Sequence, residues 1–209
     1  MAASWGNLLA FAALVVGTYG ASDEKKVNKV FCYNSRSGEQ SIYDNAIRDI
    51  NLSGPIDWTQ YRGKVVLVYP ALNALQDSFK DFKVLGVPCN QFALQEPGDN
   101  GTEILNSLKY VRPGNGFEPN FELTEKIDVN GPNEHPLYTY LKSHCPPAWQ
   151  SFASKYRLHY EGLQVSDVRW NFEKFLVDRK GVAVIRYSET FLPNDIRQDI
   201  QNLLAASES

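Results

Sequence analysis

The chain has 209 residues, of which 43% are hydrophobic and 22% charged, an ordinary balance for a globular domain that excludes a disordered or fibrous architecture. Its formal net charge of -3, with no long run of Lys or Arg, gives no general attraction for phosphate backbones or anionic lipid, so neither nucleic acid nor a membrane is expected as a partner. Three cysteines, Cys32, Cys89 and Cys145, are too few and too widely spaced for the disulfide framework of a small secreted module, and the odd count leaves at least one thiol free or paired between chains.

The chain opens on an apolar run, Leu8 to Val16, followed by the small residues Thr18, Gly20 and Ala21 and the charged stretch from Asp23 to Lys26. That order predicts a signal peptide over residues 1–20 and a secreted, extracellular protein. The run is shorter than the roughly 20 residues needed to cross a bilayer. Two glycosylation triplets follow, at Asn51 and Asn100. The polar stretch from Phe31 to Asn45 and the pattern around Ile42, Asp44 and Ala46 to Ile50 predict short strands with turns, in an N-terminal hairpin.

Lys64 to Val68 is a β-branched apolar run after Gly63, with the composition of a strand buried on both faces. Pro70 suits a first helical position, and Leu72, Leu75, Phe79 and Phe82 recur at helical spacing, predicting an amphipathic helix. Lys83 to Pro88 predicts a second strand, completing a βαβ unit, and Thr102 to Lys109 a further helix. Gly114-Asn115-Gly116 reads as a turn. Asn171 to Val177 and Val182 to Tyr187 are two strands joined by the turn Asp178 to Gly181, and Pro193 to Leu204 is a closing helix. The order βαβ, insertion, ββα predicts an α/β thioredoxin fold, a central mixed sheet flanked by helices, as one domain over residues 21–209.

No common catalytic pattern is present: no HExxH, GxSxG, CxxC or P-loop, and His135, His144 and His159 lack metal-ligand spacing, which leaves them surface or structural roles and predicts no metal. Three stretches carry a specific likeness: LGVPCNQF at 85–92, LKYVRPGNGFEPNF at 108–121 and WNFEKFLV at 170–177. In this order and spacing they resemble the glutathione peroxidase family, in particular its animal, tetrameric, secreted branch. The likeness is nearly continuous from Gly63 to Tyr187. It implies reduction of hydrogen peroxide and organic hydroperoxides, with glutathione or another thiol as co-substrate and no other cofactor.

The family chemistry uses a selenocysteine or cysteine of low pKa that attacks the peroxide O–O bond, is oxidised, and is reduced again by two thiols. By resemblance its helpers fall on Gln95, Trp170 and Asn171, whose amide and indole N–H groups suit the stabilisation of an anion. Arg112 and Arg186 match positions where this branch carries Arg, and would receive the carboxylates of glutathione. Cys89, in the PCNQF stretch, is not the position of the family nucleophile and reads as a structural thiol. Ala93 and Leu94 replace the glycine and polar residue usual before the Gln. The insertion from Tyr110 to Phe121 resembles the loop of tetrameric members and implies a homotetramer.

The segment that carries the family nucleophile belongs directly after the strand ending at Val68. Here Val68 runs into Tyr69-Pro70-Ala71-Leu72, which resembles the helix that should follow later. About a dozen residues are missing against the family pattern, and about two more between Phe82 and Lys83. As written, the chain is expected to be inactive. A selenocysteine codon passed over as a stop explains the gap as an artefact of the gene model; the alternative is a shortened, catalytically dead isoform that serves as a structural or oligomer-mixing subunit.

Overall fold

The computed structural model of the protein describes residues 28–33, 40–69 and 73–206. The expected signal peptide and the expected helix start at Pro70 and Leu72 lie outside these residues. Six strands form one mixed sheet in the order β1-β6-β5-β2-β3-β4: β1 is Lys29–Phe31, β2 Val65–Val68, β3 Phe82–Gly86, β4 Glu122–Leu123, β5 Lys174–Val177 and β6 Ala183–Tyr187. The pairs β2/β3 and β3/β4 are parallel, while β2/β5, β5/β6 and β1/β6 are antiparallel. This is the βαβ and ββα arrangement of the thioredoxin fold.

All four residues of β2 are buried, as an apolar β-branched run in the sheet centre requires. Alternation sends Val66 and Val68 to one face, where they join Leu85, Phe175 and Val177 beneath α3 (Pro136–His144). Val65 and Leu67 go to the other, where they meet Phe82, Ile185, Ile196 and Ile200, the last from α4 (Arg197–Ala205). Helix α2 (Gly101–Tyr110) starts on Asn100, whose side chain accepts from Glu103 N at 3.0 Å as an N-cap, and packs Ile104 against Ile50 and Leu123 at the sheet edge. The turn after α2 runs through Gly114, Asn115 and Gly116, all at positive φ.

The β5–β6 turn requires its glycine. Gly181 has φ +88°, and a Cβ there would lie 2.4 Å from Cε2 of Tyr43. Asp178 fixes the same turn by accepting from Lys180 N and Val182 N, each at 2.9 Å.

Three expectations are corrected. Among the described residues the helix after β2 is Asn73–Gln76 (α1), ending well before Phe82, which belongs to β3, opposite Val65 in the parallel pair. Gln76 accounts for the early stop: its Oε1 accepts from Val84 N at 2.7 Å and its Nε2 donates to Phe82 O, bonds that hold β3 against the end of α1. The helical spacing of Phe79 and Phe82 instead places their rings edge to face at 6.0 Å across a turn. Among the described residues the expected N-terminal hairpin narrows to one antiparallel bridge, Arg48 with Pro55, while Phe31 belongs to β1 on the edge of β6 and Ile42–Asp44 is a 3-10 turn. Finally, β5 begins at Lys174 rather than Asn171, because Phe172 adopts φ +71° and ends the extended run.

Cys32 and Cys145 form a disulfide across a sequence separation of 113, tying the end of β1 to the C-terminus of α3. Such a bond stabilises chiefly by limiting the unfolded chain. Cys89 is the free, buried thiol.

Candidate active site

A cleft of about 320 Å³ lies at one end of the central strands. Val87, Pro88 and Cys89, just beyond β3, line one side, and Trp170, Asn171, Phe172 and Glu173, just before β5, line the other. In the sheet β2 lies between these two strands, and Val68 at its end pairs with Phe175. The cleft therefore stands at the C-terminal end of β2, where parallel α/β sheets hold their ligands.

Three of the residues singled out for catalysis converge here. Asn171 Nδ2 donates to Gln95 Oε1 at 2.8 Å and, more weakly, to Phe92 O at 3.4 Å. Trp170 packs its ring 5.7 Å from that of Phe92. Gln95 is held on a tight loop in which Ala93 and Leu94 both have φ above +50°. Non-glycine residues in that region carry strain that the surroundings must offset. They do so through Ala93 N, which donates to Arg157 O at 2.7 Å, and through Asn90 Oδ1, which accepts from Glu96 N at 3.0 Å.

The supporting network went unseen in the sequence. Gln91 is buried, accepts from Val129 N and Asn130 N, and donates to Asn130 O at 2.8 Å. Asn130 in turn joins Val168 through both of its side-chain atoms and accepts from Lys142, which also pairs with Glu134 and Asp167. These bonds lock the loop bearing Gln95 to the loop bearing Trp170. Buried polar groups satisfied in this way specify one geometry. In the sequence it shows only as scattered amides, Asn90, Gln91 and Asn130, residues too common to single out.

The two arginines part company. Arg112 is exposed on the cleft wall, with its peptide bond to Pro113 in the cis form. Arg186 is a correction: it is fully buried and does not line the cleft. Its Nε donates to Glu173 at 2.7 Å, and its terminal nitrogens donate to the carbonyls of Cys145, Ser166 and Asp167. A guanidinium so committed has no access to a glutathione carboxylate. Its effect on the site is indirect, because Glu173 also accepts from Arg169 N at 2.6 Å and so closes the turn that carries Trp170 and Asn171.

Cys89 lines the cleft, yet burial pushes its thiol up to about 12. A raised value means less thiolate at any given pH, so the group is a poor nucleophile. At pH 8 that leaves a thiolate fraction about 10³-fold below that of a thiol at the ordinary value of 9.0. Iodoacetamide labelling of Cys89, followed by mass spectrometry, should be slower in the native protein than in denaturant by about that factor. Equal rates would show a reactive thiol. Glu96, also on the cleft wall, keeps one buried carboxylate oxygen without a partner, and burial raises its carboxyl group above the usual range.

The family model described as glutathione peroxidase matches residues 42–142. Among curated proteins the chain is 42% identical to "Glutathione peroxidase 3" of Bos taurus, over 90% of this chain and 88% of that one. It is 45% identical to "Epididymal secretory glutathione peroxidase" of Rattus norvegicus, over 82% and 83%. With "Glutathione peroxidase 6" of Mus musculus the identity is 40%, covering 96% of this chain and 95% of the relative. That alignment spans 214 positions but takes in only about 201 of the 209 residues here, so about 13 positions of the relative stand opposite gaps in this chain. Among solved structures, "Crystal structure of T. cruzi GPX1" is similar with a TM-score of 0.57 and 27% identity, covering 81% of this chain and all of that one.

Proposed function

Because the chain belongs to the glutathione peroxidase family, a family of oxidoreductases, we propose that its complete form reduces hydrogen peroxide and organic hydroperoxides with glutathione or another thiol, through a selenocysteine or cysteine in a segment that follows Val68. The observation that carries this reading is the position of the cleft. A segment leaving β2 at Val68 emerges between the ends of β3 and β5, beside Gln95, Trp170 and Asn171.

The roles follow from the donors. A chalcogen anion attacks the peroxide, releases an alcohol or water, and becomes a selenenic or sulfenic acid. One thiol then displaces water from it, and a second thiol releases the reduced residue and a disulfide. The Trp170 indole N–H and the amide N–H groups of Gln95 and Asn171 are assigned the stabilisation of the anion. The Asn171–Gln95 bond pre-orients the two amides, so little reordering is needed when an anion is present. Arg112 is assigned a carboxylate of the reductant. None of these groups supplies the nucleophile, because none is a soft atom that can be oxidised by two electrons. The test is peroxide consumption by the chain as written and by a form with a family segment restored after Val68.

Secretion is supported by the name of the epididymal relative and by the Cys32–Cys145 disulfide, a bond that persists in oxidising compartments. The assembly proposed is a homotetramer, on the strength of the 110–121 insertion, where Tyr110 and Val111 expose large apolar surface. Light scattering should give about four times the chain mass, and the mass of a single chain would overturn it.

A further inference from the structure

Trp170 faces a positioning problem that its neighbours along the chain do not solve. Among the described residues no group takes a hydrogen bond from its indole N–H, so its orientation rests on what packs against the ring. Phe92 meets it at a tilt of 54°, and the guanidinium of Arg157 lies 4.5 Å from the ring centroid. Arg157 forms no ion pair among the described residues, and no hydrogen bond from its side chain is found there. Its cation is held by the indole face, an arrangement favoured by the ring quadrupole and by the planar guanidinium.

The main chain of Arg157 reaches the other half of the site. Its carbonyl accepts from Ala93 N at 2.7 Å, in the strained pair that precedes Gln95. Of the two residues that follow it, Leu158 bridges to Phe92, and His159 N donates to Gln91 O at 2.8 Å. One residue thus touches both loops, through its side chain at Trp170 and through its backbone at the Gln95 loop.

We propose that Arg157 is a positioning residue of the active site, clamping the Trp170 indole from its face and registering it against the Gln95 loop. The role builds on the peroxidase reading, yet its first test does not need turnover. In the chain as written, the indole N–H resonance of Trp170 is identified by its loss in Trp170→Phe. Arg157→Met keeps the apolar stem and removes the charged plane, and should move that resonance well beyond any shift caused by Arg112→Met. Arg157→Lys, with the charge but not the plane, should recover part of the native position. A Trp170 resonance unmoved by Arg157→Met overturns the proposal.

The second test uses the form with the segment restored. Arg157→Met should lower kcat/KM for peroxide about 5-fold, the worth of an exposed cation–π contact. In a Trp170→Phe background it should cause little further loss. Fully additive losses would mean that Arg157 acts independently of Trp170 and would overturn the proposal. If the restored form consumes no peroxide, the peroxidase reading falls while the resonance still decides the role of Arg157.

Discussion

Restoring a family segment between Val68 and Tyr69 is expected to raise glutathione-dependent peroxide consumption from background by at least about 10³-fold. Loss of a nucleophile in a preformed site removes rate on that scale or more, and leaves only what the remaining donors provide. Within the restored form, Trp170→Phe deletes one donor to the anion and should cost about 10²-fold, as loss of a single preorganised donor does. Asn171→Ala removes both a donor and the bond that holds Gln95 at 2.8 Å, so its loss should equal or exceed that of Gln95→Ala. The coupled peroxide assay reads all of these. Turnover by the chain as written that matches the restored form would sink the reading, and turnover that vanishes in Cys89→Ser would move the nucleophile to Cys89.

The second large effect is on stability. Arg186→Met should destabilise the fold by about 3–5 kcal/mol, the range for removing one member of a buried ion pair. Both side chains are out of water, at 0% and 1% exposure, so the Glu173 carboxylate left behind has no solvent to replace its partner. The carbonyls of Cys145 and Ser166 lose the donors that Arg186 supplies, and that of Asp167 keeps only its bond from Arg169. Arg186→Lys should fall between, because one ammonium cannot reach Glu173 and three separate carbonyls in the fork geometry of a guanidinium. Urea denaturation followed by circular dichroism measures the shift in midpoint. Had Arg186 been a solvent-facing receptor for substrate carboxylates, the substitution would leave stability nearly unchanged.

Much of the scaffold was legible because its signals are local. The β-branched run at Lys64 to Val68 can be satisfied only by burial on both sides, and Asp178 to Gly181 has the side chains and the positive φ that a tight strand connection needs. The helix expected after β2 misled for a related reason. Helical spacing of Phe79 and Phe82 is also produced by a turn that brings two rings together, and periodicity over so few residues does not separate the two. Helix α3 and the short strand β4 gave no strong signal at all, since α3 buries Leu137, Tyr138, Tyr140, Leu141 and even Lys142 against partners from distant segments.

By itself the sequence determined the family and the order of the central elements, and it pointed to Gln95, Trp170 and Asn171, which the fold brings to one cleft, because each is written in residue type and spacing along the chain. Tertiary structure alone decided that Cys32 pairs with Cys145 and that β1 joins β6. It also set Arg186 beneath the site as a strut and laid Arg157 on the indole. An arginine beside a motif has the same letter whether its charge faces solvent or a buried carboxylate. Which of these it meets depends on chain segments more than 10 residues away in sequence, Glu173 for Arg186 and Trp170 for Arg157, and only folding brings them within reach.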